Sequence, residues 1–166
     1  MNSKTLTIGL FVVVTLLGLM WWGRTNQTLN NPGAGADTSG SLTVSNTFYD
    51  FGTISMKDGV VSKNFTVTNS TGKDITLSSV GTSCMCTVAY IESASGKKGP
   101  FGMPGHDGQV PKVNEIIKAG QSIDLRVAYD PNAHGPAGVG TVDRFVYLTE
   151  ESGKVTQIEI KANVTP

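Results

Sequence analysis

The stretch "TSCMCTVAY", residues 82–90, holds both cysteines of the chain, Cys84 and Cys86, with one methionine between them. On an extended strand, positions i and i+2 leave the same face with their Cα atoms about 6.5 Å apart, at the outer edge of disulfide geometry. A bridge would demand a strained turn. Two thiols on one face can instead chelate a single ion, and thiolates are the ligands that soft metals prefer. Two other readings stand beside this one: buried free cysteines that act as small apolar groups, and a redox dithiol, since a strained Cys-x-Cys bridge would be a good oxidant. No basic residue adjoins "SCMC", which counts against an exchanging thiol of low pKa.

Further soft or imidazole donors lie downstream. "GMPGH", residues 102–106, supplies Met103 and His106 in a Gly-Pro-Gly framework that lets backbone fold closely around something small. Thiolate, thioether and imidazole together point to copper, Cu(I) in particular, ahead of zinc, which seldom takes Met. The other histidine, His134, sits in "DPNAHGPAG", which reads equally as a turn opened by Asp130 and Pro131 and as a source of a fourth or fifth ligand. The candidate metal set is therefore Cys84, Cys86, Met103, His106 and His134, with Met85 on the opposite face of the strand. A blue-copper site would place Cys, His and Met in order on one loop near the C-terminus, and here the order is Cys, Cys, Met, His. Neither the G-x-S-x-G elbow nor the H-E-x-x-H zinc signature occurs, so no enzyme activity is expected.

The elements that must position these groups come in three parts. After a head of residues 1–4, residues 5–22, "TLTIGLFVVVTLLGLMWW", run eighteen residues without a charge, long enough to span a bilayer as a helix. Trp21 and Trp22 suit the membrane-water interface, and Lys4 with the N-terminal amine favours a cytoplasmic head. A cleaved signal segment is the competing reading, but its best site, Ala34 to Ala36, lies well beyond the apolar stretch. Residues 23–41, rich in Gly, Asn, Ser and Thr, read as a flexible linker.

From residue 42 to 166 the pattern is that of an all-β domain. "LTVSN", "FYDFGTI", "VVSKNFTVTN", "DITLSSV", "CTVAYIE", "SIDLRVAYD", "TVDRFVYLT" and "VTQIEIKANV" alternate and are separated by turn residues. Seven or eight strands in two packed sheets accommodate them. Residues 93–121, with six glycines and three prolines, read as one long functional loop in which only "VPKVNEII" has room for a short helix. Thirteen Lys and Arg balance thirteen Asp and Glu for a formal net charge of zero, with no basic block. Nucleic acid is thus excluded as an expected partner.

"FYDFGTI", "VVSKNFTVTNSTGKDITLSSVGTSCMCTVA", "IKAGQSIDLRVAYDP" and "GTVDRFVYLT" together resemble the bacterial family called domain of unknown function 1573, across about residues 42–164. That family is similar in turn to the immunoglobulin-like domains of the ASPM, SPD-2 and Hydin group. Its most specific motif here runs from Thr82 to Thr87. The Cys-Met-Cys form resembles a subgroup with an inserted Phe-Gly-Met-x-Gly-His loop, matched by Phe101, Gly102, Met103, Gly105 and His106, and an Asp-Pro-x-x-His-Gly turn, matched by Asp130, Pro131, His134 and Gly135. The resemblance implies an immunoglobulin-like sandwich in an exported, often anchored protein, and it implies no particular metal.

Together these readings lead us to expect a single-pass membrane protein whose domain faces the periplasm or cell exterior. The ligand chemistry suggests that this domain binds copper for storage, buffering or transfer, with an envelope protein or metallochaperone as partner. A structural or protein-interaction module without metal, and a Cys-x-Cys redox protein, are the alternatives.

Overall fold

The computed structural model describes residues 40–105, 110 and 112–166. The expected head, membrane span and most of the linker, and His106 as well, lie outside the described residues. Among the described residues no helix is long and apolar enough to cross a membrane.

The described chain is all-β, with no α-helix among the described residues and two short 3-10 turns at Met56–Asp58 and Gly135–Gly138. Ten strands form among the described residues, two more than the upper expectation. They are β1 (Thr43–Val44), β2 (Phe48–Ser55), β3 (Val61–Thr68), β4 (Ile75–Thr82), β5 (Thr87–Ser93), β6 (Gly96–Phe101), β7 (Lys112–Ile117), β8 (Ser122–Tyr129), β9 (Gly140–Glu150) and β10 (Val155–Thr165). One sheet has the order β1-β3-β8-β5-β6 and the other β2-β10-β9-β4-β7. All pairs are antiparallel except β2 with β10, which run parallel.

Alternation builds the core. Phe65 and Val67 of β3, Ala89 and Ile91 of β5, and Ile123, Leu125 and Val127 of β8 point inward from the first sheet; Leu77, Val80, Val146, Leu148, Ile158 and Ile160 meet them from the second. Leu42 is buried in the same cluster, so the packed domain takes in the residue just before β1.

The two added strands both lie in residues 93–121, which correct the expectation of one long loop. β6 pairs with β5, and β7 crosses to the other sheet and pairs with β4. Each is an edge strand, where the missing N–H of Pro100 is tolerated and where Lys97 and Lys98 discourage pairing with another chain. β7 is the segment that had room for a helix. Its inward row is Val113, Glu115 and Ile117, and the carboxylate in the middle of that row conceals the alternation.

Glu115 is 3% exposed and yet fully partnered. Its carboxylate accepts from Lys98 Nζ at 2.7 Å, from Ser93 Oγ at 2.7 Å and from Ser95 Oγ at 2.9 Å. The donors belong to the β5–β6 hairpin and the acceptor to β7, so this cluster closes the edge between the two sheets. Burial alone would raise the Glu115 pKa, but the hydrogen bonds from Lys98, Ser93 and Ser95 outweigh it and hold the carboxyl below its ordinary 4.5. An acid whose folded pKa is depressed stabilises the fold above its unfolded value, and the contribution is lost as pH falls through the folded value. Glu115→Gln should therefore cost about 1–3 kcal/mol at neutral pH by leaving Lys98 poorly satisfied. In urea unfolding followed by circular dichroism, it should also flatten the loss of stability below pH 4.5; an unchanged acid limb would show that the cluster contributes nothing.

Candidate functional site

Cys84 and Cys86 do not sit on a strand. β4 ends at Thr82 and β5 begins at Thr87, in the opposite sheet, so the cysteines occupy the tight turn that carries the chain across one end of the sandwich. The turn closes with Thr87 N–H donating to the Cys84 carbonyl at 3.1 Å. Thr82, 1% exposed, holds it from within: its Oγ1 lies 3.0 Å from the Cys84 carbonyl and 2.9 Å from that of Thr87. Ser83 ties it to β9 twice, its N–H donating to the Phe145 carbonyl and its Oγ accepting from Phe145 N–H, both at 2.9 Å. The two thiols therefore converge because of the turn rather than strand alternation, and Met85 is left 65% exposed at its tip.

His134 arrives from the connection between β8 and β9, which also passes from one sheet to the other. Asp130 N–H donates to the Cys86 carbonyl at 2.8 Å, which fixes the start of that connection to the thiol turn. Asp130 Oδ1 then accepts from Asn132 N–H at 2.8 Å, and Asn132 Nδ2 donates to the Met56 carbonyl at 2.7 Å. Gly135, at φ 55°, takes the left-handed conformation that turns the chain just after His134. The result puts His134 Nε2 3.1 Å from Cys84 Sγ.

The Cys84 Sγ, Cys86 Sγ and a ring nitrogen of His134 all lie within 4.8 Å of one another. An ion with bonds of about 2.0–2.3 Å separates its ligand atoms by roughly 3.3–4.0 Å, so small side-chain rotations suffice to close on one. Burial is graded across the three: Cys86 is buried, Cys84 half-buried and His134 exposed. The side of His134 is the open side.

Arg144 is the residue sequence reasoning missed. Its Nε donates to Cys86 Sγ at 3.1 Å, and its NH1 donates to the Asp143 carbonyl at 2.8 Å. Fifty-eight residues separate it from Cys86 in the chain, so nothing local marks it. A signal was present in β9, where Val142, Arg144, Val146, Leu148 and Glu150 share the inward row and two of them are charged.

Burial would raise the Cys84 pKa. The Cys86 thiol and backbone N–H, His134 and the Arg144 charge together overcome this and bring it from 9.0 to about 7. Cys86 is pushed up, first by burial and then by Cys84 beside it, against the pull of Arg144. The pair thus releases one proton near neutrality and keeps the second.

Of the five expected ligands, the structure brings three together. Met103 follows Gly102, whose carbonyl accepts from Thr82 N–H at 3.2 Å, so the chain after β6 passes this end of the domain; the Met103 side chain is 48% exposed. His106 lies outside the described residues.

Thiol reactivity checks this electrostatic arrangement. Alkylation of Cys84 by iodoacetamide should follow a titration centred near pH 7, and Cys86→Ala should move the midpoint upward by removing the side-chain hydrogen bond to the thiolate. A midpoint at the ordinary thiol value of about 8.5 in the parent protein would contradict the geometry.

Residues 42–103 match the family model described as "Protein of unknown function (DUF1573)". The match takes in the whole Thr82–Thr87 motif and stops before His134 and Arg144, short of the span to 164 suggested by sequence resemblance. No curated protein matches the chain. A crystal structure of a protein of unknown function from Porphyromonas gingivalis W83 is similar in fold, with a TM-score of 0.54 and 19% identity, over 81% of this chain and 51% of that one. Vibrio cholerae VesB protease (TM-score 0.44, 18% identity, 74% of this chain and 32% of that one) and the Pseudomonas aeruginosa CupB2 chaperone (0.39, 16%, 74% and 55%) align more loosely. The chain spans about half the length of the Porphyromonas structure and about a third of VesB.

Proposed function

We propose that this domain, an immunoglobulin-like sandwich held at the outer face of a membrane by residues 5–22, binds one soft metal ion, Cu(I), and buffers it or passes it on. The observation that carries the reading is the approach of two thiol sulfurs and an imidazole nitrogen to within 4.8 Å of one another at one end of the sandwich. Two sulfurs and one nitrogen in a three-coordinate arrangement suit a soft monovalent ion. Loading releases the thiol protons as the metal-sulfur bonds form. Because His134 is exposed and the sulfurs lie beneath it, the imidazole is the ligand that an incoming donor on a partner protein can replace. Met103, at the same end, offers a thioether to an ion in transit.

A second reading has specific support. Arg144 adjoins Cys86 and supplies the positive charge that a redox dithiol needs and that the local sequence lacks, while His134 lies in hydrogen-bond reach of Cys84. In that role the Cys84 thiolate attacks a partner disulfide, Cys86 resolves the mixed disulfide, and the partner leaves with two electrons as a dithiol while Cys84 and Cys86 become joined.

Anaerobic titration of the reduced chain with Cu(I) against a chromophoric chelator separates the readings. One equivalent should bind, Cys84→Ser and Cys86→Ser should each abolish tight binding, and His134→Ala should weaken it by at least about 10–100-fold, the loss typical when a supporting group is removed from a metal site. Less than about one ion per ten reduced chains would reject the metal site. Thiol-disulfide exchange with a small disulfide would then favour the redox role, and its failure a structural or interaction module. For the anchor, the expected outcome is recovery of the chain in the membrane fraction after carbonate washing; full solubility with an N-terminus beyond residue 24 would refute it.

A further inference from the structure

We infer that Arg144 sets the charge of the ion this site accepts and selects a monovalent ion over a divalent one. The inference rests on the metal-binding reading, and it concerns the group on β9 that no ligand pattern in the sequence includes. Arg144 is half-buried, and its Nε donates to the sulfur of Cys86, itself 2% exposed.

Charge balance makes the argument. Two thiolates and a neutral imidazole carry two negative charges when they hold an ion, and the guanidinium, which does not deprotonate, returns one positive charge. One negative charge is then left for the ion to neutralise. Cu(I) or Ag(I) brings the cluster to zero. Zn(II) leaves one positive charge at the inner, water-poor side of the site, where an unbalanced charge is expensive. Among the described residues no carboxylate is hydrogen-bonded to either sulfur or to Arg144: Asp130, whose charge is felt at Tyr129, has its side chain turned to Asn132 N–H, and Asp143 is exposed and lies 4.0 Å from Lys161. The other charged or titratable groups facing Cys86 are Cys84 and Tyr129, the latter 2% exposed and held neutral by burial first and by the sulfur charges next to it. Arg144 is therefore the one cation among the described residues hydrogen-bonded to a sulfur of the site.

The test measures Cu(I) and Zn(II) affinities of the full reduced chain, each by chelator competition, for the parent, Arg144→Gln, Arg144→Leu and Arg144→Lys. Removing the charge with Gln or Leu should weaken Cu(I) by about 10–100-fold and leave Zn(II) unchanged or tighter, so that the ratio of the two affinities falls at least tenfold. Lys keeps the charge and should hold the ratio within a few-fold of the parent. Leu preserves the aliphatic packing on β9 and adds no donor atom, so the comparison survives if Gln impairs folding. An equal loss for both ions in the neutral variants, or no change in either, overturns the assignment of selectivity while leaving the metal site standing. A parent chain that binds neither ion, or binds both regardless of Cys84→Ser, removes the metal site itself.

Discussion

A single backbone hydrogen bond, from Asp130 N–H to the Cys86 carbonyl at 2.8 Å, holds together the two connections from which the site is made. The β4–β5 turn and the β8–β9 connection both cross between sheets at the same end, and this bond links their backbones directly. With it, His134, fifty residues from Cys84 in the chain, is delivered to the sulfur. β5 and β8 are neighbours in register, Thr87 opposite Tyr129, so the bond to Asp130 continues their ladder by one step beyond the sheet. The placement of His134 thus inherits the precision of a strand pair, although it lies on a loop.

The polar groups around the sulfurs divide the work of satisfying a turn that is buried on one side. Thr82 and Thr87 are almost wholly buried, and the Thr82 hydroxyl lies against two carbonyls that a tight crossing leaves without strand partners. Ser83 meets Phe145 on β9 and so carries the register of the β4–β9 pair into the turn. These three residues flank the cysteines in "TSCMCT". Their part is to hold the turn rather than to act as ligands, and their hydroxyls let so compact a crossing remain satisfied.

Charge is handled differently at two of the places where it enters the interior. At the edge formed by β6 and β7, Glu115 meets a lysine and two serines, and the buried carboxylate is balanced within the domain. At the thiol end Arg144 meets a backbone carbonyl and the Cys86 sulfur but no carboxylate hydrogen-bonded to it among the described residues, and the balance is completed when the thiols give up protons or take an ion. The first arrangement closes a structure. The second stores an electrostatic imbalance that favours negative sulfur, and the same imbalance serves metal capture and thiol exchange.

How much of this was legible in the sequence follows from the range of each interaction. Side-chain alternation is local, so the eight segments read as strands all contain strands, and the all-β, two-sheet class follows from their apolar faces. β6 and β7 were hidden because edge strands need no apolar pattern: β6 carries Lys, Gly and Pro, and β7 places Glu115 in its inward row. Cys84, Cys86 and His134 could be named from residue type alone, because few side chains bind soft ions. The geometry that unites them could not, since it depends on a turn between sheets rather than on a strand and on a backbone bond between residues 86 and 130. Arg144 lay further out of reach, because its meaning depends on which face of β9 turns inward and on what stands opposite at the end of the sandwich. The sequence by itself determined the strands and the donor chemistry, which are short-range properties; only the tertiary structure decided which donors meet and what charge they meet beside, because pairing across sheets is settled by the packing of the whole core.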